Sequence, residues 1–236
     1  YSNLGNIFLE LGKLEEAEES CRRAIAINPG LAEAHVNLGN TLEDLGRWKE
    51  AEASFQHAIA LRSDFAEAHF HLGNTQQQLE RLEAAEASYQ HAIALRPDFI
   101  DAYVHLGNVL QELGRFEIAE STYRQVLAIK PDFAEGYNNL GNALQKLGKF
   151  EEAESSYKKA ISLKPNYQGA YSNLLFLNSS IRFDASRYLE DAQCFADMVA
   201  RRSISAFNDW SSSERQGGLR VGFVSGDFKA HPVGFF

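Results

Sequence analysis

Residues 103–136 read YVHLGNVLQELGRFEIAESTYRQVLAIKPDFAEG, and this 34-residue frame recurs along the chain. Leu-Gly stands at one fixed offset within the frame and alanine at another, as Leu106-Gly107 and Ala119 do here. A fixed period of this length predicts a solenoid of stacked supersecondary units, which commonly offers an extended binding surface. An aromatic ring or an imidazole opens each frame, at Tyr1, His35, His69, Tyr103, Tyr137 and Tyr171.

Each frame predicts a pair of short helices. In residues 103–136 the first helix covers roughly residues 101–113, with apolar side chains at helical spacing, and Gly114 ends it. The second covers roughly residues 117–130, and Pro131 ends it. Its predicted buried stripe is Ile118, Ala119, Tyr123, Val126, Leu127 and Ile129.

Two recurring features predict particular contacts. A glycine inside a helix costs about 1 kcal/mol relative to alanine, so Gly107 and its counterparts predict a close backbone approach to the second helix, where Ala119 recurs. Asp132 and Glu135 have the spacing of a capping box for the next helix. The same spacing recurs at Asp64/Glu67 and, with a shorter second carboxylate, at Asp98/Asp101.

These residues resemble the tetratricopeptide repeat, or TPR. The likeness covers five repeats and the first helix of a sixth, and it implies an all-α right-handed superhelix over residues 1–172. The first helices of such an array line its inner surface, where protein or peptide partners bind. The five full repeats are residues 1–34, 35–68, 69–102, 103–136 and 137–170.

One column of side chains on that inner surface consists mostly of amides. Because asparagine forms helices poorly, its recurrence needs a reason. The amides either bridge neighbouring helices or hydrogen-bond the backbone of an extended peptide, since an amide supplies both a donor and an acceptor. We favour peptide binding for this first column, Asn3, Asn37, His71, His105, Asn139 and Asn173. For a second column, Asn6, Asn40, Asn74, Asn108 and Asn142, we favour a structural role.

An acidic column lies four residues before the first amide column, at Glu33, Glu67, Asp101 and Glu135. These carboxylates compensate the positive ends of the helices, contribute to peptide binding, or do both. Some TPR modules hold the C-terminal carboxylate of a chaperone with lysine and arginine on this surface. The corresponding positions here carry no basic clamp, so the sequence argues against a chaperone adaptor.

Charge and cysteine content exclude several partner classes. Residues 1–170 contain 16 Lys and Arg against 25 Asp and Glu, a net charge of −9 without a basic stripe, so nucleic acid and an anionic membrane surface are poor partners. Cys21 and Cys194 are isolated and the histidines are spread over different repeats, so we expect neither a disulfide framework nor a metal site. In the absence of a signal peptide or a long apolar run, we expect a cytoplasmic setting.

The periodicity fades after Leu175, and the remaining sequence divides into three segments. Residues 173–202 are predicted to complete the half repeat and to form an amphipathic capping helix. Residues 203–218 contain three serines in a row and a glycine pair and are predicted to be a linker. Residues 219–236 open with LRVGFVS, which is typical of a buried first strand of an α/β sheet.

A TPR array closed by NLLF, a helical cap and the run LRVGFVSGDFKAHPVGFF together resemble the protein O-GlcNAc transferases of glycosyltransferase family 41. The resemblance implies that residues 219–236 begin a truncated Rossmann-like (GT-B) catalytic domain and that the chain is a fragment. It places His231 in the active-site cleft, with Asp227 as a second candidate. Structural roles are the alternative, a loop contact for His231 and a turn for Asp227.

The resemblance also implies a reaction, in which N-acetylglucosamine passes from UDP-GlcNAc to protein Ser or Thr hydroxyls. No cofactor is expected in this part of the protein, and this fragment alone is expected to be inactive. One alternative is a Spindly-type O-fucosyltransferase that uses GDP-fucose, because the lobe that would select the donor lies beyond the sequence. Another alternative is a non-catalytic TPR scaffold for protein–protein interaction.

Overall fold

The computed structural model describes residues 1–181, 189, 192–196 and 199. Its described part is all-α and contains no strand. Eleven helices occupy residues 2–181, namely Ser2–Glu10 (α1), Leu14–Ile27 (α2), Ala32–Asp44 (α3), Trp48–Leu61 (α4), Ala66–Gln78 (α5), Leu82–Leu95 (α6), Ile100–Glu112 (α7), Phe116–Ile129 (α8), Ala134–Lys146 (α9), Phe150–Leu163 (α10) and Gln168–Ile181 (α11). None of them is long and apolar enough to cross a membrane.

The helices stack as repeated pairs. Within each repeat the first helix packs on the second, and each second helix also packs on the first helix of the next repeat. The Cα atoms of successive first helices approach within 8 Å of one another, whereas those of no two second helices come so close in the described residues. The first helices, α1, α3, α5, α7, α9 and α11, therefore line the inner side of the array, as the sequence predicts. The right-handed sense of the superhelix stays a prediction.

An aromatic ring seated against a glycine forms the core of each inner repeat. Tyr123 is fully buried, and a Cβ atom added to Gly107 would lie 2.5 Å from its ring. The predicted close approach is therefore present, but the second helix contributes an aromatic ring and not the backbone beside Ala119. The same pairing occurs at Gly39/Phe55, Gly73/Tyr89 and Gly141/Tyr157.

Two predictions about the repeat are wrong. Helices α5, α7 and α9 follow the N-cap residues Phe65, Phe99 and Phe133, and none of these three starts has a side-chain cap hydrogen bond in the described residues. The predicted capping boxes therefore do not form. Ile118 and Ile129 are 50% and 39% exposed, because they lie beside the helix face that buries Ala119, Tyr123 and Val126.

The turn between the two helices of a repeat requires a left-handed residue. Gly114 occupies it with φ of 72°, and Gly12, Gly46 and Gly148 have nearly the same value. In the third repeat Glu80 takes this conformation with φ of 59°, although a side chain makes it strained. The turn geometry therefore persists where its preferred residue is absent.

Ion pairs join successive repeats through their second helices. Glu120 on α8 is almost fully buried, and Lys149, just before α10, donates to its Oε2 at 2.8 Å. Arg124, one turn further along α8, also pairs with Glu120. The same inter-repeat pair recurs as Glu18–Arg47 at 2.7 Å, Glu52–Arg81 at 2.8 Å and Glu86–Arg115 at 2.5 Å.

Part of the predicted capping segment is described. Residues 192–196 are helical, and the ring of Phe195 lies 6.0 Å from that of Tyr171 on α11. Leu189, within the same predicted capping helix, is 66% exposed. The predicted linker at 203–218 and the predicted strand and loop at 219–236, with Asp227 and His231, lie outside the described residues.

Candidate peptide-binding surface

Side chains that reach from one first helix to the next define the inner surface. Asn37 on α3 donates from Nδ2 to the backbone carbonyl of Ser2 on α1 at 3.2 Å. Asn173 on α11 donates from Nδ2 to Asn138 Oδ1 on α9 at 2.9 Å and to Asn142 Oδ1 at 3.0 Å. Asn37 and Asn173 of the first amide column therefore lie on this surface and link neighbouring repeats.

The first-column amides use their donors and leave acceptors uncovered. Asn139 directs Nδ2 to Asn108 Oδ1 at 3.5 Å, in the same sense as Asn37 and Asn173. Oδ1 of Asn37 and Oδ1 of Asn173 accept no hydrogen bond from the described residues, whereas Asn139 Oδ1 accepts one from Asn138 at 3.4 Å. Bridging is thus visible, and acceptor atoms remain along the surface.

The middle of the first column is aromatic. The imidazole of His71 stacks on Phe55 with ring centroids 5.5 Å apart, and His105 lies 3.5 Å from the hydroxyl of Tyr89 through Nδ1. Phe70 stands between the two imidazoles, with its ring centre 5.4 Å from His71 and 5.3 Å from His105. Burial lowers the pKa of His105, so this part of the surface favours a neutral imidazole.

In the third, fourth and fifth repeats the second amide column joins the two helices of the repeat. The buried tyrosine of the second helix donates from its hydroxyl to the asparagine fifteen residues earlier. These bonds are Tyr89 to Asn74 at 2.8 Å, Tyr123 to Asn108 at 2.7 Å and Tyr157 to Asn142 at 2.9 Å. Burial raises the pKa of all three tyrosines, which therefore remain hydroxyl donors at neutral pH.

Three of the four predicted acidic residues lie on a first helix and pair with a base directly after the second helix that packs on it. Glu33 accepts from Arg62 at 2.7 Å and Glu135 from Lys164 at 2.7 Å, while Glu67 pairs with Arg96. The hydrogen bond from Lys164 lowers the pKa of Glu135. Asp101 is exposed, and no ion pair links it to the described residues.

The bases of these pairs have a second contact that the sequence analysis did not foresee. Arg62 lies over the ring of Phe65 at 3.5 Å, and Arg96 lies over Phe99 at 4.1 Å. The base therefore stacks on the aromatic residue that precedes the next helix while it holds the acid. The available signal was the regular 29-residue spacing of acid and base, as in Glu33 and Arg62.

Four other histidines of the described residues form two stacked pairs. His35 stacks on His57 with ring centroids 5.6 Å apart, and His69 stacks on His91 at 5.4 Å. Burial lowers the pKa of His35 and of His69, and the charge of the stacked neighbour lowers it further. In the part that the structure describes, no three His, Cys, Asp or Glu side chains gather as a metal site, and both cysteines are free.

Comparison with protein families accounts for most of the helical array. Models described as tetratricopeptide repeat match residues 1–64, 30–98 and 134–167, and a model described as TPR repeat matches residues 112–148. Together these matches span more than half of the chain. The chain belongs to the tetratricopeptide repeat family. This TPR protein is thereby placed among proteins whose repeats mediate protein–protein interaction.

Solved structures of other proteins superpose on this one. MamA is 29% identical over 70% of this chain and 91% of its own, with a TM-score of 0.65. YrrB, described as a TPR protein with an unusual peptide-binding site, is 24% identical over 73% of this chain and 89% of its own, with a TM-score of 0.65. PilF of Pseudomonas aeruginosa is 19% identical over 89% of this chain and 91% of its own, with a TM-score of 0.71. YrrB and PilF are compared for their fold alone. A search of curated protein sequences gives no match.

Proposed function

We propose that this TPR array is a protein-interaction module that holds an extended segment of a partner protein along its inner surface. The observation that carries the proposal is the uncovered Oδ1 of Asn37 and of Asn173, on amides whose donors are already used. Such oxygens accept hydrogen bonds from backbone N–H groups, which every peptide except at proline provides.

The inter-repeat bonds support this role because they hold the amides in place before a peptide arrives. The bond from Asn37 to Ser2 fixes the side chain across two helices, so little rotamer freedom remains to be lost on binding. Regularly spaced amides can bind the main chain of an extended segment whatever its side chains are. Pairing of Glu33 and Glu135 with bases limits repulsion of acidic segments.

The test is the double substitution Asn37→Ala with Asn139→Ala, assayed with a fluorescein-labelled pool of short peptides of randomised sequence. Loss of two hydrogen bonds of about 0.5–1.5 kcal/mol each predicts roughly tenfold weaker binding by fluorescence anisotropy. Circular dichroism should show an intact helical fold. A matched control, Gln56→Ala with Gln125→Ala, removes exposed amides from second helices and should leave binding unchanged. Equal binding by the Asn variant and the wild type would refute peptide binding by the first amide column.

A second candidate function rests on the sequence of residues 219–236. We propose that LRVGFVSGDFKAHPVGFF begins the catalytic domain of an O-GlcNAc transferase-like glycosyltransferase, for which the TPR array selects protein substrates. The support is the likeness of this run to the RVGYVS-x-DF-x-x-HP opening of that family. UDP-GlcNAc is the proposed donor, and GDP-fucose is the donor if the enzyme is of the Spindly type.

The enzymatic proposal is tested with the product of the complete gene. It should transfer radiolabelled N-acetylglucosamine from UDP-GlcNAc to acceptor proteins, and His231→Ala should reduce that transfer. Transfer of fucose from GDP-fucose would identify the alternative donor. If neither sugar is transferred to any acceptor protein, the interaction module stands alone.

A further inference from the structure

The centre of the inner surface differs chemically from its two ends. His71 and His105 replace the amides there, and the partly buried ring of Phe70 lies between them. Other repeats carry small, aliphatic or amide side chains at the position of Phe70, namely Ser2, Val36, Val104 and Asn138. The centre is therefore an aromatic patch, and the electron-rich faces of such rings attract cations.

A carboxylate beside this patch has no lysine or arginine partner in the described residues. Glu43 is 14% exposed through its side chain, and only the Thr75 hydroxyl, at 2.7 Å, and His71 Nδ1, at 3.5 Å, approach its oxygens as polar contacts. No lysine or arginine of the described residues lies within 4.0 Å of it. A largely buried carboxylate is costly without a cation, so its surroundings favour one. The equivalent residues in later repeats are neutral amides, Gln77, Gln111 and Gln145.

Two buried polar atoms near Glu43 make no hydrogen bond. In the part of the chain that the structure describes, only Asn40 Oδ1 and His71 Nδ1 are buried side-chain nitrogen or oxygen atoms without a hydrogen bond. Their counterparts one repeat later, on Asn74 and His105, both lie near the hydroxyl of Tyr89, at 2.8 and 3.5 Å. Phe55, at the position equivalent to Tyr89, has no hydroxyl. Asn40 Oδ1 and His71 Nδ1 therefore lack the donor that their counterparts have.

We propose that Glu43, Phe70 and His71 form a pocket that binds an arginine or lysine side chain of the peptide held on the inner surface. The cation donates to the Glu43 carboxylate and lies against the Phe70 and His71 rings. The His71 side chain is 28% exposed, and turning it aside brings the cation to Asn40 Oδ1. The pocket deepens the proposed peptide binding and rests on it.

The experiment compares three labelled peptides that are identical, extended and uncharged except for a central arginine, lysine or glutamine. Wild-type protein should bind the arginine and lysine peptides about tenfold more tightly than the glutamine peptide, equivalent to about 1.4 kcal/mol. Glu43→Gln, which places the amide of later repeats at this position, should abolish the preference and leave binding of the glutamine peptide unchanged. Phe55→Tyr should also weaken the preference for the arginine and lysine peptides, because the hydroxyl of the new tyrosine competes with the cation for Asn40 Oδ1.

The matched control is Asp44→Asn, which makes the same change of charge at the next, exposed residue. It should retain the preference; an equal loss in Glu43→Gln and Asp44→Asn would reduce the effect to net charge and overturn the pocket. Equal affinity of wild type for all three peptides would also overturn it. If no peptide binds, peptide binding itself fails. A titration with n-butylguanidinium then decides the pocket, because only the His71 and His105 imidazole signals should shift while those of His35 and His57 stay unchanged.

Discussion

The hydroxyl of Tyr89 donates to Asn74 Oδ1 at 2.8 Å and thereby ties the second helix of a repeat to the first. The same bond recurs in the next two repeats, where a tyrosine fifteen residues after an asparagine is buried against a glycine. In the second repeat Phe55 occupies the position of the tyrosine with the same contact to Gly39, and Asn40 Oδ1 is left without a donor. One missing hydroxyl therefore distinguishes the second repeat from the three repeats that follow it.

Phe55→Tyr should increase stability, because the added hydroxyl reaches an acceptor that is already buried. The expected gain in the free energy of unfolding is about 1 kcal/mol, the usual net value of one hydrogen bond. Urea denaturation followed by circular dichroism measures it. The reverse change, Tyr123→Phe, removes the donor to Asn108 and should lower stability by a similar or larger amount. Destabilisation by Phe55→Tyr would show that the ring cannot carry a hydroxyl in this repeat.

Glu80→Gly should also stabilise the array. Glu80 has φ of 59°, a conformation that costs an L-residue roughly 1–2 kcal/mol, whereas glycine adopts it freely at an entropic cost of about 0.5–1 kcal/mol. A net gain of about 0.5–1 kcal/mol is expected in urea denaturation. Gly114→Glu makes the opposite exchange at the equivalent turn and should lower stability. If neither variant changes the free energy of unfolding, the left-handed conformation of Glu80 is not strained.

Sequence periodicity predicted the architecture because each repeat packs a pair of helices through the same positions of the 34-residue frame. The helices predicted at roughly 101–113 and 117–130 are observed one residue earlier, at Ile100–Glu112 and Phe116–Ile129. The capping-box prediction was wrong because phenylalanine takes the N-cap position, which frees Glu67 and Glu135 to pair with bases 29 residues later.

The candidate site was only partly predictable for a related reason. The amide column was found from its spacing, but spacing cannot show which atom of an amide faces a neighbour and which remains uncovered. Glu43 was missed because a single deviation from Gln at one position gives no periodic signal. Its meaning depends on Phe55 and His71, which are distant in sequence and adjacent in the fold.

Lys149→Met should weaken the contact between the fourth and fifth repeats. It removes a donor from Glu120, whose side chain is 6% exposed, although Arg124 still pairs with that carboxylate. Breaking a fully buried ion pair costs about 3–5 kcal/mol, and because Lys149 is 44% exposed we expect a smaller loss of about 1–2 kcal/mol.

The control for Lys149→Met is Arg23→Met, which removes an ion pair with Glu19 in which both side chains are more than half exposed. It should leave the free energy of unfolding unchanged, since exposed pairs contribute little. Hydrogen exchange should become faster in α8 and α10 of the Lys149 variant. Equal stability of the two variants would show that the inter-repeat pair contributes no more than a surface pair.

Lowering the pH from about 7.5 to 5.5 should destabilise the second and third repeats through His35 and His69, whose pKa values are depressed by burial and by the stacked His57 and His91. A histidine with a depressed folded pKa binds more protons when unfolded, so stability falls as the pH drops through the unfolded value near 6.5 and stops falling below the folded pKa.

His35→Gln with His69→Gln removes both titrating groups and should flatten this part of the profile. His105, whose pKa burial also lowers, remains in the variant, so a residual slope is expected. An identical pH dependence of urea denaturation in wild type and variant would exclude the stacked pairs as its source.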